Sequence, residues 1–454
     1  HIIKHILALV LLFSAAQAAL TSNPGLRGLS NLISYSPSRD VPVKNTSVQY
    51  ELVKGQKEDA DKGVYLDLGD VENPQPIRGS HGGTDPGLRN DVYQRLNSNK
   101  LAPPSTDKGQ TINAQWPMAL SRNRLGIENS GWARQENTVV MPDATRMAGV
   151  NMRLEPGAYR KLHWHVAGEW SLVLNGSCQV QAVNEKGQTF VDDVTEGDVW
   201  FFSKGVPHSI QALDGGVEFL LVFDDGSFSE DNTFLASQVF AHQLKEVLTK
   251  DLGIPISSLD NIPQDKLYIF PGTPAPSSIS EQNVTTLAGL IPRSQSYTYH
   301  FSQQPAHRVA GGSIKIIDPA TFPIASNFSA AIVTVNPGGM REIHWHLSSD
   351  KWMFFIHGQG RATLFEAPLT ATTFNYMADD VGYFPQSNSH YIENTGDEEL
   401  VFLEVLQADV FTDIALGQWI ASTPRQIVKE KLGLSDETLG MLKMEKQYVV
   451  AGSD

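Results

Sequence analysis

Two histidines and a glutamate in the first half of the chain have the spacing of a metal site. They lie in the pattern His163-x-His165-x3-Glu169. Because side chains alternate across an extended strand, His163 and His165 point to the same face, about 7 Å apart along the strand. Glu169 returns to that face if the chain bends or bulges at Gly168. Two imidazoles and a carboxylate suit a borderline divalent ion such as Mn, Fe or Zn. The alternative is a half-buried strand whose histidines are solvent-facing or core groups.

A third histidine can complete this group. His208 follows residues 197–207, where an apolar strand ends in a turn. Three imidazoles and one carboxylate occupy four positions around an ion. A six-coordinate ion then keeps open positions, which catalysis needs.

The histidine pattern occurs twice. Residues 336–346 mirror residues 155–165 at an offset of 181 residues. An apolar helical segment that ends at Gly253 likewise has a counterpart that ends at Gly433. Two long similar halves predict a duplicated domain rather than a solenoid of short repeats.

Short strands are expected to position the histidines. Apolar runs of strand length, bounded by Gly, Asn or Asp, recur at residues 170–174, 190–191, 199–202 and 217–223. This spacing predicts a β-sandwich or barrel. After Phe234 the apolar residues recur at helical spacing. Residues 262–278, rich in Pro, Gly and Ser, predict a linker.

Length and charge limit the class of protein. The chain has 454 residues, which suggests two or three domains with ample cores. Its net charge of -15 argues against nucleic acid or an anionic membrane surface as a partner. A small anionic substrate would therefore need a locally positive site, supplied by a metal or an arginine.

The first 18 residues have the pattern of a secretory signal. We expect cleavage after Ala18, export, and a polar, extended arm over residues 19–60. The sequons that fit a secreted glycoprotein are Asn45, Asn175, Asn283 and Asn327. The single cysteine, Cys178, excludes a disulfide within this sequence.

Two motifs resemble those of the cupin family. Residues 157–176 are similar to the first cupin motif, Gly-x5-His-x-His-x3-Glu-x6-Gly. Residues 197–208 resemble the second motif, with Ser203 in place of the usual proline. Two such halves resemble a bicupin, which implies a mainly-β fold of two tandem jelly-roll β-barrels with flanking helices. We expect one cupin domain over residues 61–285 and the other over 286–454.

Within the bicupins, the chain resembles the oxalate decarboxylases of secreted fungal and bacterial type. The resemblance runs from about residue 60 to the end and is carried by residues 74–79, 84–87, 151–157 and 219–230. It implies an enzyme that uses Mn²⁺, with dioxygen as co-catalyst, to convert oxalate to formate and carbon dioxide. It also implies trimers or hexamers.

The same resemblance assigns roles outside the ligand set. Arg160 matches an arginine that contacts the substrate, and its guanidinium can clamp a carboxylate bidentately. Glu230 matches the acid/base residue of a mobile lid, which would take the oxalate proton and return one to the formate carbon. The lid departs from the family's usual Ser-Glu-Asn-Ser-Thr at Asp231 and Asn232. The charge of Asp231 would raise the pKa of Glu230 if it were close, so the balance between decarboxylation and oxidation stays open.

The second half keeps three histidines but departs from the ligand pattern. His344, His346 and His390 match the first set, whereas Lys351 stands where the family has its metal-binding glutamate. A protonated ammonium cannot ligate, and it repels a dication. Asp350 is a candidate replacement, although it is one methylene shorter and one position out of register. We therefore predict that the second site binds metal weakly or not at all. Lys351 would then stabilise the fold or bind an anion beside His344 and His346.

Two further residues of the second half match functional positions of the family. Arg341 matches Arg160 and is a candidate substrate-binding residue. Glu404 matches a second-domain glutamate discussed as an alternative acid/base.

Two other functions remain open beside decarboxylation. An oxalate oxidase that releases hydrogen peroxide would use the same ligand set. Glu230 favours decarboxylation, because the radical left after loss of carbon dioxide needs a proton donor. A non-catalytic storage or sugar-binding bicupin is disfavoured, because storage bicupins usually lose their histidines and six are retained here.

Overall fold

The computed structural model describes residue 100 and residues 103–262, 268–276, 278–282, 284 and 286–452. The expected signal segment and N-terminal arm lie outside the described residues, as do the sequons at Asn45 and Asn283. Within the described ranges, no helix combines the length and the hydropathy needed to cross a membrane.

Strands make up most of the secondary structure of the described residues. In chain order they are β1 Gln115–Pro117, β2 Arg124–Leu125, β3 Gly131–Glu136, β4 Ala148–Leu154, β5 Tyr159–Trp164, β6 Glu169–Val183, β7 Thr189–Thr195, β8 Val199–Phe202, β9 His208–Phe223, β10 Phe234–Leu235, β11 Ile269–Phe270, β12 Thr298–Tyr299, β13 His307–Val309, β14 Gly312–Ile317, β15 Ser329–Val335, β16 Met340–His346, β17 Lys351–His357, β18 Gln359–Glu366, β19 Thr370–Met377, β20 Asp380–Phe384, β21 Ser389–Asn394, β22 Leu400–Leu406, β23 Asp413–Ala415 and β24 Val449–Val450. The α-helices are α1 Ala236–His242, α2 Lys245–Leu252, α3 Leu416–Ser422, α4 Arg425–Leu432 and α5 Asp436–Met441.

One sheet of eleven strands, β2 to β12, forms what we call the first half. The long strands β6 and β9 pair antiparallel and run through its centre. Apolar side chains of these two strands, among them Val180, Ile210 and Phe219, face an enclosed core that also buries Cys178. The apolar runs of the sequence therefore become the inner wall of a β-barrel.

The second half comprises β13 to β24 and is built from two sheets. One sheet contains β13, β14, β15, β17, β20 and β22, and the other contains β16, β18, β19, β21, β23 and β24. Their inner faces enclose a second core, which includes Phe355, Ile392 and Phe402. The predicted mainly-β architecture with two similar halves is confirmed.

Equivalent tight turns precede the two His-x-His strands. Gly157 and Gly338 adopt φ of +74° and +72°, just before β5 and β16. Residues with a Cβ rarely adopt this left-handed conformation, so glycine permits the turn. The turns start β5 and β16 in the same way, which places each His-x-His pair at the same point of its barrel.

Two edge strands, β1 and β12, lie on opposite sides of the expected domain boundary from the sheets that they join. β1 precedes the first half in sequence but pairs with β20 of the second half. β12 follows the expected boundary at residues 285/286 but pairs with β8 of the first half. The domain bounds stay a prediction, and these two strands tie the halves together.

A third core fills the interface between the halves. It combines Trp170 and Leu220 of the first half with Trp352 and Leu403 of the second. Gly149 lies so close to the Trp352 ring that a Cβ at this position would be 2.2 Å from it. A side chain at residue 149 would therefore force the two sheets apart.

Polar contacts of β3 cross the same interface. Arg134 donates from Nη2 to both carboxylate oxygens of Asp379, at 2.6 and 2.7 Å. Trp352 Nε1 donates to Glu136 Oε2 at 2.9 Å. Glu136 is fully buried, and this burial raises its pKa to about 8. Its neighbour Gln135 contacts Ser229 and Glu230, so β3 contacts both the second half and the segment after β9.

Two features of the C-terminal part of the first half differ from, or refine, the sequence interpretation. The predicted helical region after Phe234 forms two short helices, α1 and α2, and α2 ends at Gly253 in the left-handed conformation. The predicted linker at 262–278 contains a strand among its described residues, because β11 pairs with β5. Ile269 is buried in the first core, so β11 forms part of the barrel wall.

Candidate metal centre

Three strands bring the four predicted ligands of the first half together. His163 lies on β5, His165 directly follows it, Glu169 begins β6 and His208 begins β9. His163 and His208 are paired across β5 and β9, with ring centroids 4.1 Å apart. One potential ligand atom from each of the four side chains lies within 4.8 Å of the others. All four residues are 2% exposed or less, so a bound ion would be enclosed by protein.

The route by which Glu169 reaches the histidines differs from the expected bulge at Gly168. The chain turns over residues 165–168 and begins a new strand at Glu169. Gly168 N donates to Asp224 Oδ1 at 2.8 Å, which holds the turn. The irregularity in register lies earlier, between Arg160 and His163.

Hydrogen bonds at Nδ1 fix the tautomers of the three imidazoles. Nδ1 of His163, His165 and His208 lies 2.5, 2.7 and 2.8 Å from a backbone carbonyl oxygen two residues away. A carbonyl oxygen only accepts, so each Nδ1 carries a proton and each Nε2 presents a lone pair. Burial, assisted by the charge of Arg160, holds the pKa of His163 well below its ordinary value, and burial lowers that of His208. These histidines therefore have the tautomer of metal ligands.

Glu169 completes a group of converging acceptors. Trp200 Nε1 donates to its Oε1 at 2.8 Å. Its Oε2 lies 3.0 Å from Nε2 of His165 and 3.7 Å from Nε2 of His208. Lone-pair nitrogens and a carboxylate oxygen at these distances need a cation between them, so the residues fit a divalent metal ion.

An arginine and a glutamate form a buried pair next to this cluster. Arg160 Nη2 donates to Glu230 Oε2 at 2.6 Å, and both side chains are 1% exposed. The Arg160 guanidinium stacks over the Tyr268 ring, 4.5 Å from its centroid. Nε and Nη1 of Arg160 have no hydrogen-bond partner among the described residues. A buried guanidinium with two spare donors is prepared for a second carboxylate.

Glu230 is held by a short lid, residues 229–233. Residues 230–232 form one turn of 3-10 helix, and the Ser229 hydroxyl caps it by accepting from Asp231 N. Gln135 of β3 accepts from Glu230 N at 3.2 Å and donates to Ser229 Oγ at 3.3 Å. Burial raises the pKa of Glu230, and the charge of Arg160 opposes this rise. The lid is therefore closed, with a carboxyl group that can exchange a proton inside the site.

Asp231 does not point at Glu230 as the sequence interpretation considered. Its carboxylate accepts from Arg124 Nη2 at 2.8 Å and from Nε at 3.2 Å. The pair is on the surface, since the Asp231 side chain is 66% exposed. Asp231 therefore joins the lid to β2 rather than raising the pKa of Glu230.

The second half repeats the three histidines without the carboxylate. Nε2 or Nδ1 atoms of His344, His346 and His390 lie within 4.8 Å of one another, and all three residues are buried. Their Nδ1 atoms also lie 2.6 to 3.0 Å from backbone carbonyl oxygens, so their Nε2 atoms present lone pairs. Lys351 lies where Glu169 lies in the first half, and its Nζ donates to Glu404 Oε1 at 2.8 Å.

Asp350 does not replace the missing ligand. Its Oδ2 accepts from the Tyr383 hydroxyl at 2.5 Å, and its Oδ1 accepts from Gln386 N at 2.8 Å. Among the described residues, it is not part of the histidine cluster. The one-residue difference in register turns the side chain to the other side of the strand.

Arg341 and Glu404 are both engaged within the protein. Arg341 Nη2 donates to Asp413 Oδ2 at 2.6 Å, and Lys446 pairs with the same aspartate. Burial lowers the pKa of Lys351 to about 8, against the opposing charge of Glu404. The charges of Lys351 and Arg341 outweigh burial and hold the pKa of Glu404 below its ordinary value. The second cluster is thus surrounded by paired charges.

Several residues of the first centre were not singled out from the sequence. They are Arg124, Gln135, Trp200, Thr233 and Tyr268. Trp200 lies inside the second cupin motif and Thr233 inside the lid, so both are in segments that the sequence had already indicated as functional. The other three come from distant segments and are found through the fold alone.

Comparison with known proteins identifies the class that this fold and site define. The family model described as Cupin matches residues 123–257 and 299–439, which include both histidine clusters. The chain belongs to the cupin family and, within it, to the oxalate decarboxylases. An oxalate decarboxylase of Bacillus subtilis is 43% identical over 377 residues, which cover 83% of this chain and 97% of that protein. A probable oxalate decarboxylase of Arthroderma benhamiae is 36% identical over 398 residues, 86% of this chain and 96% of that protein.

Solved structures agree with this assignment. The structure of the Bacillus subtilis oxalate decarboxylase at pH 4.6 matches with a TM-score of 0.78 at 42% identity, over 84% of this chain and 98% of that one. A structure from work on the Mn(II) centres of the same bacterial enzyme matches with a TM-score of 0.79 at 42% identity, over 84% of this chain and all of that one.

Proposed function

We propose that the chain is a manganese-dependent oxalate decarboxylase that works at the first centre. The observation that carries this proposal is the buried Arg160–Glu230 pair beside a cluster of four metal-ligand side chains. The cluster fits a divalent ion, the arginine fits a carboxylate and the glutamate fits a proton carrier. The names of the relatives supply the substrate, oxalate.

Each residue of the first centre has a distinct part in the proposed reaction. His163, His165, Glu169 and His208 would hold the ion. A bound manganese ion would supply a Lewis-acidic, redox-active centre with open positions for oxalate and for dioxygen, which we propose as co-catalyst. Arg160 would hold one carboxylate through its spare donors and polarise it.

Glu230 would move the proton. Hydrogen oxalate becomes carbon dioxide and formate without a net oxidant, provided that its acidic proton reaches carbon. Glu230 accepts that proton and returns it to the remaining carbon atom, which becomes the carbon of formate. Closure of the lid excludes water from this step. Because burial raises its pKa, the carboxyl group can hold the proton between the two steps.

Product analysis tests the reaction. The purified chain loaded with Mn²⁺ and given oxalate under air should release formate as the main product, with little hydrogen peroxide. Peroxide in place of formate would make the protein an oxalate oxidase, which has the same proposed ligands. Bound metal without turnover of oxalate would favour the non-catalytic bicupin.

We also propose that the protein is extracellular and glycosylated. The N-terminal signal pattern supports export. Asn175 is exposed and open to modification, whereas Asn327 Nδ2 donates to Asp224 Oδ2 at 2.9 Å. N-terminal sequencing of the secreted protein and a mass shift on glycosidase treatment test both points. An N-terminus that retains residues 1–18 would contradict export through this signal.

Self-association is the last part of the proposal. The helices of both halves expose apolar side chains, among them Val247, Leu252, Ile427 and Leu432. Matching apolar surfaces on two related halves suit contact with further copies of the chain. Light scattering of the purified protein should give a trimer or hexamer, and a monomer at micromolar concentration would contradict this.

A further inference from the structure

The three imidazoles of the second half form a pocket of acceptors. Nε2 of His344, His346 and His390 has no hydrogen-bond partner among the described residues, and each nitrogen presents a lone pair. Three buried lone pairs that converge within 4.8 Å attract a cation. They give an anion no N–H donor, which argues against the anion considered from the sequence.

Strand register shows what stands in for the missing carboxylate. Glu169 is paired with Phe202 at the end of β8, and Lys351 is paired with Phe384 at the end of β20. Each of the two residues begins its strand, and each is followed by a buried tryptophan. Lys351 therefore occupies the position of Glu169, with a positive charge in place of a negative one.

The partners of these two residues differ in a matching way. In the first half, Trp200 donates to Glu169. In the second half, the strand register places Gly382 at the position that corresponds to Trp200. Glycine has no side chain that could donate a hydrogen bond. Leu221 of the first half corresponds to Glu404 of the second. The second half thus lacks the group that orients a carboxylate and gains the group that holds an ammonium.

The surrounding charges are already paired. Glu404 accepts from Lys351, and Asp413 accepts from both Arg341 and Lys446. Lys351, Glu404 and Arg341 are fully buried. A divalent ion among the histidines would meet two buried cations. The nearby carboxylates among the described residues are already in ion pairs, since Glu404 contacts Lys351 and Arg341 and Asp413 contacts Arg341, which makes binding of the ion unfavourable.

We propose that the ammonium of Lys351, held by Glu404 at the position of the missing carboxylate, keeps a metal ion out of the second cluster, so that a lysine–glutamate pair takes the place of a metal site there. Glu404 then serves as the partner of Lys351 rather than as an acid/base residue. Arg341 is held by Asp413 rather than available to a substrate. The second half is a structural centre, and this holds whether or not the first centre acts on oxalate.

Metal content of reciprocal variants tests the proposal. The full chain and its variants are purified after expression with Mn²⁺, dialysed, and analysed for manganese per chain by mass spectrometry. The unmodified protein should hold one ion. Lys351→Glu rebuilds three histidines and a glutamate and should hold two, whereas Glu169→Lys should hold none. Two tightly bound ions in the unmodified protein would overturn the proposal.

A second variant decides the matter if Lys351→Glu does not fold. His390→Ala removes one of the second-half histidines and should leave the manganese content unchanged. A fall in metal content in this variant would show that the cluster binds an ion. His208→Ala, the matched change in the first half, should lose the ion.

Thermal melting separates an ion pair from a metal site. Lys351→Met leaves Glu404 buried without its main partner and should lower the melting temperature by several degrees. The double variant Lys351→Met/Glu404→Leu removes both charges and should regain most of that loss. A chelator should not lower the melting temperature of a variant that already lacks the first ion, such as Glu169→Lys. A further drop on chelation would contradict the proposal.

Discussion

The residue that begins the strand after each His-x-His pair is Glu169 in the first half and Lys351 in the second. Each side chain borders a cluster of three buried imidazoles. Glu169 lies beside His165 and His208, and the Lys351 ammonium lies over the Phe384 ring, which stacks on His390. In the first half the fourth group is an oxygen held by Trp200. In the second it is an ammonium held by Glu404. The same backbone frame thus supports a centre that fits a metal and a centre whose charges are already balanced.

The arginines next to the two clusters also differ in their partners and in the number of donors that they leave unpaired. Arg160 pairs with a lid glutamate and keeps two donors without a partner. Arg341 pairs with Asp413, which is not part of a lid, and donates to Tyr448 O, so that among the described residues only its Nε has no hydrogen-bond partner. A duplicated fold therefore does not imply a duplicated site, because function depends on a few side chains placed on that fold.

Removing equivalent histidines should have the largest and the most unequal effects. His163→Ala should abolish metal retention and lower formate production by at least about 10³-fold, since every proposed step needs the ion. His344→Ala should keep formate production within about threefold of the unmodified protein, because its cluster takes no part in turnover. Steady-state formate assays on metal-analysed samples measure both effects. Similar losses in the two variants would remove the functional distinction between the halves.

Neutralising the two candidate acid/base residues should come next. Glu230→Gln keeps the shape of the lid residue but cannot carry the proton, so formate production should fall by about 10²- to 10³-fold. Oxalate consumption linked to peroxide should fall less. Glu404→Gln should retain formate production and lower thermal stability, because Lys351 loses its charged partner. A Glu230→Gln variant with full formate production would refute the proton role.

A buried carboxyl group between the halves predicts a pH dependence of stability. Burial raises the pKa of Glu136 from 4.5 to about 8. A group whose pKa is higher in the folded state contributes stability that is fully present below pH 4.5 and is lost as pH rises through 8. The loss should reach a few kcal/mol, since each unit of difference corresponds to about 1.4 kcal/mol.

Glu136→Gln tests this dependence. The amide keeps an oxygen for Trp352 Nε1 but does not ionise, so the variant should lose less stability between pH 5 and pH 8. Unfolding is followed by melting at several pH values. Glu185→Gln changes an exposed carboxylate and should have the profile of the unmodified protein. Equal profiles for all three proteins would show that the pKa of Glu136 is not raised in the folded state.

Local periodicity accounts for the part of the first centre that the sequence predicted. The period of two along β5 placed His163 and His165 on one face, and the apolar run before His208 indicated the third ligand. Both inferences depend on residues that are close in sequence. The lid contacts of Gln135 and Arg124 join segments 95 and 107 residues apart, and no spacing pattern reveals such contacts.

The second half illustrates the same limit. The sequence showed that Lys351 replaces a carboxylate, but not which group neutralises it. Its partner Glu404 lies 53 residues away and faces it because β17 pairs with β22. The tautomers of the three histidines also depend on carbonyl groups placed by the fold. The exclusion of an anion therefore required the structure.

Breaking the surface pair between Arg124 and Asp231 should have the smallest effect of these changes. It tests whether this pair helps to keep the lid closed over the first centre. Exposed ion pairs contribute about 0 to 1 kcal/mol, so Asp231→Asn should lower the population of the closed lid by at most about fivefold. An open lid exposes the reaction to water and separates Glu230 from the carbon that needs its proton. The ratio of formate to peroxide should therefore fall by about two- to fivefold.

Salt separates this electrostatic role from a structural one. Because surface pairs are screened, added sodium chloride should lower the formate-to-peroxide ratio of the unmodified protein towards that of Asp231→Asn. The ratio of the variant itself should change little with salt. Arg124→Gln removes the other partner and should behave like Asp231→Asn, since each change breaks the same contact. A variant ratio equal to that of the unmodified protein at low salt would mean that the buried contacts of Glu230 with Arg160 and Gln135 are sufficient to close the lid.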